Sequence, residues 1–163
     1  MRIAGIDPGR TGAIALVEDG RCVAIHDLPH VLSGTQGGSR RIDIVELRLL
    51  LASLDLSEIV IEEPTPRPGN SAKGAWTSGY GFGVICATAS ALVLPVRRVL
   101  PSRWTAALRL PGKSKAPSAA RALALELYPH AAPMLTGPKG GAKDGRVDAL
   151  LIAHWGATKG EGR

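Results

Sequence analysis

Aromatic residues are scarce in this chain: one Phe, two Tyr and three Trp make up 4% of 163 residues. A core must therefore be assembled from Ala, Val, Leu and Ile. Only two cysteines occur, Cys22 and Cys86, both among apolar neighbours. A disulfide between them is the alternative to two buried thiols in a reducing compartment, and the surroundings favour the thiols. His26, His30, His130 and His154 show no ligand spacing, which excludes a structural zinc site. Long apolar runs are also missing. The longest, residues 84–96, is broken by Thr88, Ser90 and Pro95 and is too short to cross a bilayer. No basic amphipathic helix appears, so a membrane surface is not expected as a partner. The N-terminus enters a strand at once, so no signal peptide is expected and the protein reads as soluble and intracellular.

What is present begins with charge. The net charge is +6 and the pI about 9.8, with Lys and Arg spread along the chain, which favours a polyanionic partner such as nucleic acid. The length suits one core and one domain over residues 1–163, with 158–163 expected as a disordered tail.

Four carboxylates stand at the ends of the most apolar segments. Asp7 closes Ile3-Ala4-Gly5-Ile6-Asp7 and Glu62 closes Ile59-Val60-Ile61-Glu62. Asp148 opens Asp148-Ala149-Leu150-Leu151-Ile152-Ala153, and Asp144 lies four residues before it. A charge beside a buried run costs several kcal/mol, by rough reckoning, unless something compensates it. Several such residues on separate elements point to a divalent metal site. Oxygen donors suit Mg²⁺ or Mn²⁺.

The pattern predicts strands over Arg2–Asp7, 12–18 and Arg21–Asp27, the last two joined by the hairpin signal Asp19-Gly20. Residues 31–41 read as a mobile Gly/Ser-rich loop. A helix starts at Asp43, with Glu46 in capping-box spacing, and Ile44, Leu47, Leu50, Leu51 and Leu54 recur at helical period. Glu58–Glu62 is a strand buried on both faces. Residues 64–73 form a loop, 76–92 a helix in its second half and 94–99 a fifth strand. Short and long helices follow over 102–108 and 117–128, then a basic loop over 133–143 and a last helix over 145–155. Three antiparallel strands followed by two parallel ones make an α/β chain with one mixed five-stranded sheet flanked by helices. Asp7 and Glu62 meet if their strands are neighbours, and helical spacing puts Asp144 and Asp148 on one face.

These segments resemble the RuvC family of Holliday-junction resolvases, within the RNase H-like superfamily. Gly5-Ile6-Asp7-Pro8-Gly9 with Gly12-Ala13, Val60-Ile61-Glu62-Glu63-Pro64, Leu94-Pro95-Val96 and the run from Asp148 to Ala153 carry the likeness, in family order. The chloroplast-type branch and its bacterial or phage relatives look nearer, through the stretch from Gly74 to Gly83 and Lys143-Asp144-Gly145-Arg146. One departure is that position 145 is Gly, so the fourth acid is Asp144, four before Asp148 rather than three.

The resemblance implies an RNase H-like fold and a homodimeric endonuclease dependent on Mg²⁺ or Mn²⁺, nicking opposed strands of a four-way DNA junction. It also implies a cytoplasmic protein, bacterial or phage-encoded, with an organelle protein lacking its transit peptide as the alternative. Two cations per active site would be held with Asp7 shared, Glu62 on one, and Asp148 with Asp144 on the other. Trp76, Tyr80, Phe82, Lys113, Lys115 and Arg146 are the expected DNA contacts.

Each of these residues also has a plainer reading. Asp7 could serve only its Pro8-Gly9 turn, and Glu63 could replace Glu62 as ligand. Asp148 could merely complement a helix dipole and Asp144 merely cap the helix. Residues 76–83 could be core packing, and Lys113 with Lys115 could act only in solubility. Two rival functions share the pattern: a nuclease for RNA–DNA hybrids and a junction-binding protein that does not cut. An ATP-binding domain of the sugar-kinase and actin class carries a similar Gly-Ile-Asp-x-Gly loop but needs two such domains, which this length does not hold.

Overall fold

A computed structural model describes residues 1–33, 39–65, 71–111, 117–137, 141 and 143–159. Three strands open the chain, β1 (Arg2–Asp7), β2 (Ala13–Glu18) and β3 (Arg21–Asp27). The β2–β3 turn places Asp19 (φ 48°) and Gly20 (φ 75°) in the left-handed region that a tight hairpin needs, which is why Asp-Gly stands there. A separate two-stranded ribbon follows, β4 (His30–Ser33) and β5 (Ser39–Ile42), with Val31 opposite Arg41. This corrects the reading of 31–41 as a loop at 31–33 and 39–41, where the chain is extended; residues 34–38 lie outside the described residues.

Helix α1 (Ile44–Ser53) starts at Asp43, whose carboxylate accepts from the Glu46 N–H at 3.1 Å. Strand β6 (Glu58–Glu62) leads to helix α2 (Ala72–Ala91). Helix α2 is longer than expected: Ser71 caps it at Gly74 N, and the glycines of its first half are helical. Strand β7 (Val96–Val99) is two residues shorter than expected. Helices α3 (Pro101–Ala107), α4 (Pro117–Leu127) and α5 (Asp144–Lys159) complete the chain, with a 3-10 turn at Pro129–Ala131. Pro101 opens α3, one residue before the expected start at 102. Thr158 and Lys159 belong to α5 instead of a tail, and residues 160–163 lie outside the described residues.

The main sheet has the order β3-β2-β1-β6-β7. Its first pairs are antiparallel and β1-β6 and β6-β7 are parallel, as the pattern required. Helices cover both faces. One core joins Ile3, Val60, Trp104 and Leu150 beneath α3, α4 and α5; the other joins Ile6, Ile61, Leu47 and Ile85 beneath α1 and α2. At Gly5 helix α5 meets β1 main chain to main chain: a Cβ there would overlap Ala149 O and Ala153 N. Among the described residues no helix is long and apolar enough to cross a membrane. Cys22 and Cys86 are both free thiols.

Candidate functional site

The parallel register pairs Ile6 with Ile61, so Asp7 and Glu62 follow side by side at the C-terminal ends of neighbouring strands. Strand alternation places Asp7 with Ile3 and Gly5, and Glu62 with Val60, on the face covered by α5. Helix α5 runs down that face from the same end. Gly145 lies against the Thr11–Gly12 backbone and Ala149 against Gly5, which sets Asp148 between those levels. Asp148 is half-buried, whereas Asp144, the first residue of α5, is exposed.

The loop after Asp7 is tightly fixed. Gly9 N–H donates to Asp7 Oδ1 at 3.1 Å and Gly12 N–H to Gly9 O at 2.9 Å. Glu62 is a rare buried acid, 8% exposed, and its Oε2 accepts from Trp104 Nε1–H at 2.7 Å. Sequence reasoning gave Trp104 no role. The signal was there: a fully buried indole N–H in an aromatic-poor chain needs an acceptor. Trp104→Phe keeps most of the packing and removes one donor from a buried carboxylate. The expected result is a loss of about 1–3 kcal/mol of stability, read from denaturant unfolding, with weaker activity at Glu62.

Among the described residues no three His, Cys, Asp or Glu side chains gather closely enough to hold a metal ion by themselves. The donor chemistry still suits Mg²⁺ or Mn²⁺. Such a hard cation keeps several waters and takes one or two carboxylates together with substrate phosphate oxygens. Asp7 and Glu62 supply a pair of that kind.

A cationic cleft adjoins the Asp7 loop. Pro8, Gly9 and Arg10 line it with Arg40, Arg41 and Tyr80, and His30 stands among them. Burial, first, and nearby Arg40 hold the His30 pKa down, against the opposing pull of its bond to Leu28 O. The arginines therefore carry the charge of this cleft at neutral pH. Trp76 is exposed and stacks on Tyr80 at 5.3 Å and 10°, with the Arg41 guanidinium 5.9 Å from the Trp76 ring. Arg10, Arg40 and Arg41 were missed as a site because the ribbon that presents two of them had been read as a loop.

The remaining expected contacts separate. Phe82 is half-buried and packs against the α1/α2 core. All three guanidinium nitrogens of Arg146 are engaged within the protein. Nε and Nη2 bond Asp27 at 2.6 and 2.9 Å, and Nη1 bonds the carbonyls of Met134 and Thr136. The bonded guanidinium holds Asp27 below the usual carboxylate range. Arg146 thus ties α5 to β3. Lys113 and Lys115 lie outside the described residues.

Solved structures share this fold. Thermus thermophilus RuvC in complex with a Holliday junction substrate superposes with a TM-score of 0.68 at 18% identity, over 99% of this chain and 96% of that one. The chain has the RuvC fold. A second Thermus thermophilus RuvC structure gives 0.59 at 18% identity, again over 99% and 96% of the two chains. The yeast mitochondrial Holliday junction resolvase gives 0.57 at 16% identity, over 99% of this chain and 81% of that one. No family model and no curated protein matches the sequence. The RuvC fold matches the mixed sheet and the flanking helices expected from the residue pattern.

Proposed function

We propose that this chain is a structure-selective DNA endonuclease that resolves four-way junctions by paired, metal-dependent phosphodiester hydrolysis. The observation that carries the reading is the β1–β6 register, which sets Asp7 beside Glu62 on the face of α5. The RuvC fold and the junction bound to one of its solved examples support it. The motifs at Gly74–Gly83 and Lys143–Arg146 favour the chloroplast-type branch as the nearer relative.

Asp7 and Glu62, with Asp148 and Asp144 at the mouth of α5, would hold two Mg²⁺ or Mn²⁺ ions, and the DNA phosphate and water complete their shells. When bound, the ions supply Lewis-acid activation of water and neutralise the leaving oxygen. The chain's own residues position that chemistry. Trp104 holds the Glu62 carboxylate still, and the Gly9 N–H fixes one oxygen of Asp7. Arg10, Arg40 and Arg41 offset the charge of DNA phosphates arriving beside the loop. Trp76 on Tyr80 offers a stacking surface to a base exposed at the branch.

Paired incision calls for two active sites, and hence two subunits related by a closed two-fold. Gly79, Gly83, Ala87 and Ala91, at successive four-residue steps, form an exposed stripe of small residues along α2. A second α2 could approach closely there. The test incubates the protein with a four-way junction, a linear duplex and an RNA–DNA hybrid, each with Mg²⁺, Mn²⁺ or EDTA. Expected are symmetric nicks in the junction that EDTA abolishes. Preferential cutting of the hybrid, or junction binding with no cutting under any condition, would overturn the reading.

A further inference from the structure

Strand β7 is the outer edge of the sheet, and three arginines gather around it that the cutting reaction leaves unused. Arg97 and Arg98 of β7 and Arg103 of α3 border a groove of about 670 Å³, together with Glu63 and Trp155. Arg97 is fully engaged. It bonds both oxygens of Glu58 at 3.0 and 2.8 Å, donates to Gly156 O at 3.0 Å, and lies 5.3 Å over the Trp155 ring. Its charge is balanced and it stiffens one wall. Arg98 and Arg103 are exposed, and neither forms an ion pair among the described residues. Glu63 is the single acid on the groove's lining, against two exposed arginines.

Position narrows the anion. Glu63 directly follows Glu62, and its N–H donates to Val99 O at 2.8 Å. Arg103 directly precedes Trp104, which holds Glu62. The groove therefore begins where the carboxylate pair ends. Asp7 and Glu62 lie between it and the Arg10/Arg40/Arg41 cleft, since β1 and β6 separate the β1–β2 loop from β7. The lining has no Asn or Gln to read a base edge, and Arg97 occupies a face of Trp155. What remains is guanidinium chemistry, whose fork matches phosphate oxygens.

We infer that this groove binds the phosphodiester backbone of DNA on the far side of the cut, with Arg98 and Arg103 each meeting a phosphate. The inference rests on the proposed function for its ligand and extends it to a second anchoring point. The test compares wild type with Arg98→Gln/Arg103→Gln, measuring affinity for a four-way junction and a linear duplex in EDTA over a range of salt concentrations.

Both side chains are exposed, so the variant is expected to melt as the wild type does; a single Arg98→Gln serves if it does not. Losing two phosphate contacts should flatten the slope of log affinity against log salt by about 2, and by about 1 for the single change. An unchanged slope on both DNAs would sink the groove. If wild type binds duplex as tightly as junction, the junction reading fails, and the slope difference still decides the groove. Calorimetry with inorganic phosphate is the last arm. Phosphate binding that disappears in the variant while the DNA slope stays constant would assign the groove to a small free anion and overturn the inference.

Discussion

Asp7→Asn and Glu62→Gln each abolish cutting of a four-way junction, on the order of a thousandfold, while junction binding in EDTA is equal or tighter. The scale is that of removing one preorganised electrostatic contact from a reaction centre. Binding moves the other way because a negative charge beside phosphate is lost. Both substitutions keep side-chain shape, and the Gln side chain can still accept from Trp104 Nε1. Glu63→Gln is the comparator. Glu63 follows the strand end, lines the β7 groove and lies on the opposite side of the alternation from Glu62. It should retain far more activity than Glu62→Gln. Gel assays of nicking, with binding measured in parallel by mobility shift, check both quantities. Equal loss of binding in the Asp7 and Glu62 variants would indicate misfolding, and Glu63→Gln as the more damaged protein would mean the register is misread.

Ala87→Arg and Gly83→Arg are expected to convert the proposed dimer to monomers and to turn the proposed coupled double incision into isolated nicks. Both positions are exposed on α2, and a Cβ at Gly83 meets nothing within 4 Å. The changes therefore disturb little within one subunit, while a charged arm on a stripe of small residues keeps a second helix away. Sedimentation with and without junction DNA reads the subunit count. A cruciform plasmid reads the coupling: linear product from the wild type, open circles from the variants. A wild type that stays one subunit per junction and still makes both cuts together would end the dimer proposal.

The sheet was legible because its signals are local. Asp-Gly at 19–20 dictates a tight turn, and the Ile-Val-Ile run before Glu62 admits only a strand buried on both faces. The pairing of Asp7 with Glu62 followed once the strand order was inferred. Failures arose where tertiary contact overrides local preference. Three glycines within 79–83 argued against a helix, but Gly81 is needed where α2 meets Pro8 O, and Ser71 starts the helix earlier. The β4–β5 ribbon was hidden by the Gly-rich segment between its arms. Arg146 carries no local mark that its partner is Asp27, which is 119 residues away in the chain. Trp104 was passed over for the same reason, since it stands on helix α3 and its acceptor on strand β6, 42 residues away in the chain.

Because α5 rests on β1 through Gly5, Ala149 and Ala153, the height of Asp148 above the sheet is gauged at that point by main-chain atoms. Glycine and alanine have almost no rotamers to freeze or to exchange. A helix seated on long side chains would rise and settle as they repacked; this one has a hard stop. The carboxylates at the end of the sheet therefore inherit their separation from the van der Waals contact of main-chain atoms. Changes elsewhere in the apolar layers can soften the domain without altering that spacing.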